Sequence, residues 1–167
     1  MLGQYGNLAV ASGSAFGVTV TDDDPSHYLG EYSGTDVCET YDKPQILTML
    51  YTGDNVNDNA QDPSKVVITG NPMFADPVLI IASEKENGGG KVYFNGQVNL
   101  GETFVIDAKL AGDSELRAET YVTIYDLNGN VLQSIKFHTS CSQPLALGDQ
   151  FGAIELVAFV NKNGSGP

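Results

Sequence analysis

Tryptophan is absent, cations are scarce and no apolar run is long. Lys and Arg number 8 against 21 Asp and Glu, so the 167-residue chain carries a net charge of −13. Nucleic-acid affinity comes largely from Lys and Arg contacts to phosphate, so this deficit excludes nucleic acid as a partner. It excludes anionic membrane surfaces for the same reason. A cation, a basic partner or plain solubility in salt stays open. The longest apolar stretch, Pro77 to Ala82, falls far short of the roughly 20 residues of a membrane-spanning helix, so no membrane insertion is expected. Met1 to Gly17 have neither a basic start nor a continuous apolar core and do not read as a signal peptide; a mature export product whose leader has been removed fits them. Cys38 and Cys141 are the only cysteines, too few for a disulfide framework. They allow one bridge, which would close a loop of roughly 100 residues and contribute up to about 4–5 kcal/mol if entropy of the unfolded chain is the cause. Two buried thiols are the other possibility.

Short β-branched and aromatic runs recur between turn residues, and no window carries a capped helical stripe. An all-β protein is expected, an antiparallel β-sandwich of Ig-like or jelly-roll type with about nine strands. The clearest unit runs from Thr120 to His138, where Asn128-Gly129 is expected to supply the positive φ angles of a tight hairpin turn. Other strands are expected at Ala15–Thr21, Gln45–Thr52, Lys65–Thr69, Val78–Ser83, Lys91–Asn99, Thr103–Leu110 and Ala153–Val160. Two of them, around Ile46–Tyr51 and Val78–Ile81, are apolar on both alternating sets, as central strands covered on each face would be. Residues 1–37 are Gly- and Ser-rich and read as an N-terminal extension with one strand. Residues 38–160 form the sandwich, and 161–167 have the composition of a flexible tail or linker.

Three blocks carry a resemblance. They are Cys38-Glu39-Thr40-Tyr41-Asp42-Lys43-Pro44 leading to Tyr51-Thr52-Gly53, then Gly90 to Gly96 leading to Gly101-Glu102-Thr103-Phe104. The third is His138-Thr139-Ser140-Cys141-Ser142-Gln143-Pro144-Leu145 with Gly148-Asp149-Gln150-Phe151-Gly152. Together they make the stretch from Cys38 to Val160 resemble an uncharacterised module of bacterial extracellular and surface-anchored proteins. The resemblance implies export, a β-sandwich and a place in adhesins or multi-domain surface proteins. It brings no catalytic residues.

Oxygen ligands are densest at Asp54, Asn57, Asp58 and Asp62, with a second acidic group at Asp22-Asp23-Asp24, where Asp22 and Asp24 share one face of an extended chain. Ca²⁺ takes six to eight oxygens, so these are the candidate calcium ligands; a solvated polar loop has the same composition. His138 and Cys141 lie at the end of one strand, but no third residue orients the imidazole, and a structural corner suits them better than a nucleophile with its base. His27 is the only other histidine, which excludes a histidine-rich zinc site. Tyr28, Tyr32, Tyr41 and Tyr51 suggest stacking on a surface polysaccharide, weakened by the lack of Trp. A hydrolase with a carboxylate pair is the remaining alternative, though no pair stands out among the acidic residues. The leading expectation is a non-enzymatic structural module that joins copies of itself, with Phe16, Val18 and Val20 of an N-terminal strand added to a neighbour's sheet edge.

Overall fold

In a computed structural model of the protein, the described residues are 7–15, 18–26, 41–56, 67–70, 75–142 and 144–166. They fall in two compact units, residues 1–39 and 40–167. In the first, β1 (Asn7–Ala15) and β2 (Val18–Ser26) pair in an unbroken antiparallel register from Asn7 opposite Ser26 to Ala15 opposite Val18. The single strand expected at Ala15–Thr21 is thus divided between two strands of a hairpin.

The second unit is all-β, with two antiparallel sheets packed face to face. Its strands are β3 (Pro44–Val56), β4 (Val67–Gly70), β5 (Val78–Lys85), β6 (Gly89–Val98), β7 (Thr103–Asp107), β8 (Glu119–Tyr125), β9 (Val131–His138) and β10 (Gln150–Asn161). One sheet has the order β10-β3-β7, the other β4-β9-β8-β5-β6. Among the described residues the sandwich expected from the sequence therefore has eight strands, with the hairpin's two besides. β3 is the middle strand of its sheet, and β5 is an interior strand between β8 and β6. The outward apolar set of each, Ile46 and Leu50 of β3 and Leu79 and Ile81 of β5, is only half-buried, so the full cover expected on both faces is not formed.

The core lies between the sheets. Leu47, Met49, Ile106, Ile154 and Leu156 of the smaller sheet face Ile80, Val122, Ile124 and Ile135 of the larger, all without solvent exposure. Two aromatic pairs tie the sheets together: Phe137 of β9 stacks on Phe151 of β10 at 4.7 Å, and Phe94 of β6 meets Phe104 of β7 at 5.0 Å. On the same two strands as the first pair, the buried Gln133 side chain accepts a hydrogen bond from the Ala153 amide at 2.9 Å, satisfying a buried backbone donor.

Several local expectations are corrected. The expected strand Thr103–Leu110 ends at Asp107, whose carboxylate accepts from the Lys109 amide at 2.8 Å and starts a 3-10 turn over Ala108–Ala111. At the β8–β9 hairpin only Gly129 has a positive φ, 85°; Asn128 does not. Asp126 organises that loop instead, its carboxylate accepting from the amides of Asn128 and Asn130 at 2.9 and 2.8 Å and from the Asn130 side chain at 2.7 Å. Residues 161–166, linker-like in composition, are hydrogen-bonded. Ser165 O accepts from Asn161 N at 2.7 Å, and Lys43 O accepts from Lys162 N at 3.0 Å.

Candidate functional site

The face of the five-stranded sheet that points away from the core carries a candidate groove. Alternation along β8 sends Val122 and Ile124 inward, which leaves Tyr121, Thr123 and Tyr125 on the outer side. Register then brings Val67 of β4, Lys136 of β9 and Tyr121 of β8 into one row, with Ser83 of β5 beyond them. The next row aligns Thr69, Ser134, Thr123 and Ile81.

The β5–β6 connection folds over this face. Its 3-10 turn, Glu86–Gly88, places Asn87 at φ 55°, and a Cβ added at Gly88 would meet Ile81 Cγ2 at 3.2 Å. Asparagine tolerates the left-handed region better than most side chains, and glycine tolerates it best, so this pair suits a tight overhang. Between the overhang and strands β4 and β9 lies a groove of about 380 Å³. Tyr121 lines it with Asn87 and Glu86 on one side and Thr69, Ser134 and Lys136 on the other; Val67 and Val131, each about half exposed, complete it.

Glu119, two residues before Tyr121, organises the charges beside the groove. Its carboxylate accepts from Lys136 Nζ and from the Tyr121 hydroxyl, each at 3.1 Å, and His138 Nε2 lies 3.6 Å away. The Lys136 hydrogen bond is the main reason Glu119 titrates below the usual carboxylate range, against the opposing effect of partial burial. Tyr121 is pushed the other way, first by burial and then by Glu119 and Glu86, so its hydroxyl stays protonated.

The expected site residues lie elsewhere. Tyr51 is in the core, where its hydroxyl donates to Ala75 O at 3.0 Å, so it offers no stacking surface. Tyr41 is half-buried and its hydroxyl is raised by burial, opposed by a hydrogen bond from the Leu145 backbone. Tyr28 and Tyr32 lie outside the described residues, as do Asn57, Asp58 and Asp62 of the candidate calcium set and Phe16 of the assembly strand. Asp54 is exposed near the end of β3. Asp22 and Asp24 sit in β2 opposite Ala11 and Ala9, and Val18 and Val20 sit there opposite Ala15 and Gly13. Among the described residues, no three His, Cys, Asp or Glu are grouped to hold a metal ion. Cys141 is disulfide-bonded, and Cys38 lies outside the described residues. Cys141 therefore carries no thiol for a nucleophilic role. The alternation Tyr121-Val122-Thr123-Ile124-Tyr125 is the local signal for the groove; its far wall is legible piece by piece, as the strand at Lys65–Thr69 and the turn at Asn87-Gly88-Gly89-Gly90, but nothing local places those pieces beside Tyr121.

The third resemblance block has a structural explanation. Thr139 is buried, with its amide donating to Ala118 O at 2.9 Å and its hydroxyl bonding Arg117 O. Asp149 is buried too, and its carboxylate accepts from the Ala146 amide at 2.8 Å. Comparison with family models finds a match over residues 43–159 to a domain of unknown function, DUF7467. The chain belongs to the DUF7467 family. The matched DUF7467 region includes the groove and nearly all of both sheets, and it leaves the β1–β2 hairpin outside. No curated protein and no solved structure matches the chain. Among the described residues, no helix is long and apolar enough to cross a membrane.

Proposed function

We propose that the protein is a non-enzymatic extracellular structural module whose N-terminal hairpin joins it to a neighbouring copy. The observation that carries this reading is the β1–β2 hairpin: a two-stranded sheet in a compact unit of its own, preceding the DUF7467 region. An isolated hairpin is marginal in water, and three or more strands are normally needed for independent stability. Among the described residues each strand of the hairpin is paired along one side only, and an outer row of amides and carbonyls on such a strand is suited to strand addition. The arm is thus a hairpin with Val18 and Val20 on its second strand, where a single strand was expected. A head-to-tail contact of this kind extends into a filament where its rotation does not close into a ring. The disulfide at Cys141 supports an oxidising compartment, in keeping with export and a place at the cell surface.

Light scattering and negative-stain microscopy on the full chain and on a chain starting at Gly34 test this. Oligomers or filaments from the full chain alone are expected; a monodisperse monomer from both overturns the proposal. Repeating the comparison with calcium and with chelator tests Asp22 and Asp24 as calcium ligands at the joint, since loss of assembly in chelator is the expected result if they hold the ion.

A further inference from the structure

We propose that the groove between the Glu86–Gly88 turn and strands β4, β8 and β9 binds a neutral sugar ring. A sugar presents an apolar C–H face and a rim of hydroxyls that each donate and accept, so its site needs an aromatic or aliphatic surface beside a few convergent polar groups. Tyr121, Val67 and Val131 supply the apolar part. Asn87, Ser134 and Thr69 supply neutral groups able to donate and accept, from opposite sides of the groove. At about 380 Å³ it lies near the lower end of the range of ligand pockets, about 300–1,000 Å³.

Charge decides between a sugar and an anion. Among the described residues, the one cation lining the groove is Lys136, which is already paired with Glu119, and Glu86 adds a negative charge. Phosphate or a carboxylated ligand would therefore meet no unpaired cation among them. The site is also prepared in advance. Tyr121 is anchored through its hydroxyl to Glu119, and the overhang carrying Asn87 is seated on Ile81 through Gly88. Groups held this way lose little freedom when a ligand arrives. This inference does not rest on the hairpin arm, because every groove residue lies between Val67 and Lys136.

Isothermal titration calorimetry on the full chain tests the site, with glucose, galactose, N-acetylglucosamine, cellobiose, maltose and inorganic phosphate as probes. Heat is expected from at least one sugar and none from phosphate. A larger response to a disaccharide than to its monomer would identify an oligosaccharide as the occupant, and equal responses a single ring. Asn87→Gly keeps the positive φ and removes only the amide, so it is expected to weaken binding about tenfold with unfolding unchanged. Tyr121→Ala is expected to abolish binding. Silence from every sugar, affinity unchanged in Asn87→Gly, or phosphate binding in place of sugar overturns the proposal.

Discussion

At Gly152 the backbone lies directly against the Gln133 amide. A Cβ there would come within 2.5 Å of Gln133 Oε1, and φ is +57°, so both space and conformation require glycine. Gly152→Ala is expected to destabilise the fold by about 2–4 kcal/mol, read from urea unfolding. Gln133→Leu removes the acceptor of the buried Ala153 amide, and a loss of about 1–3 kcal/mol is expected in the same measurement. Glu119 gives a pH signature. The Lys136 hydrogen bond, the Tyr121 hydroxyl and nearby His138 together outweigh burial and hold it below its ordinary value. A group depressed on folding stabilises above its unfolded pKa, about 4.3 for glutamate, and loses that contribution as pH falls through the lower folded value. Unfolding midpoints measured across the acid range should therefore fall less steeply in Glu119→Gln than in the natural chain. The effect is small, because the Glu119 side chain is 42% exposed.

Among the elements, the hairpin β8–β9 was the most legible, because alternation and Asn128-Gly129 are local signals. The detail of its turn was not legible: whether Asn128 adopts a positive φ depends on a competing loop in which Asp126 collects the free amides. Asp126→Ala is expected to lower the thermal midpoint and to speed hydrogen exchange at the Asn128 and Asn130 amides. The β5–β6 connection shows the opposite case. Asn87-Gly88-Gly89-Gly90 announces a turn, yet its fold back over Ile81 depends on a sheet face formed by β5 with distant β8 and β9. Replacing residues 86–89 by a two-residue Asn-Gly turn should keep the sandwich, seen as an unchanged far-ultraviolet spectrum, while removing the groove wall.

For the whole molecule, excess negative charge adds a salt-sensitive repulsion to the chain entropy that opposes compaction. Among the described residues, Lys43, Lys91, Arg117, Lys136 and Lys162 form ion pairs with Glu115, Asp113, Glu84 and Glu119. Five of the eight cations are thereby neutralised locally, and the remaining surface is strongly negative. Self-repulsion at −13 opposes both folding and contact between copies, and it is screened over about 10 Å at 0.1 M salt. The thermal midpoint and the assembled fraction are both expected to rise with added sodium chloride, by calorimetry and light scattering. Reduction of the disulfide at Cys141 is expected to lower stability by about 2–4 kcal/mol, measured by urea unfolding with and without reductant.

Composition and two-residue alternation were enough to determine an all-β sandwich with β3 and β5 away from its sheet edges, because burial on one face or both is written into each strand's own residues. The groove was decided only by tertiary structure. Tyr121, Asn87, Ser134 and Thr69 are far apart in sequence and individually ordinary; strand order and register bring them together. Tyr51, by contrast, has the composition of a stacking residue but was claimed by the core. A tyrosine reads the same in sequence whether it faces a partner sheet or solvent, and only the packing of the two sheets separates the two.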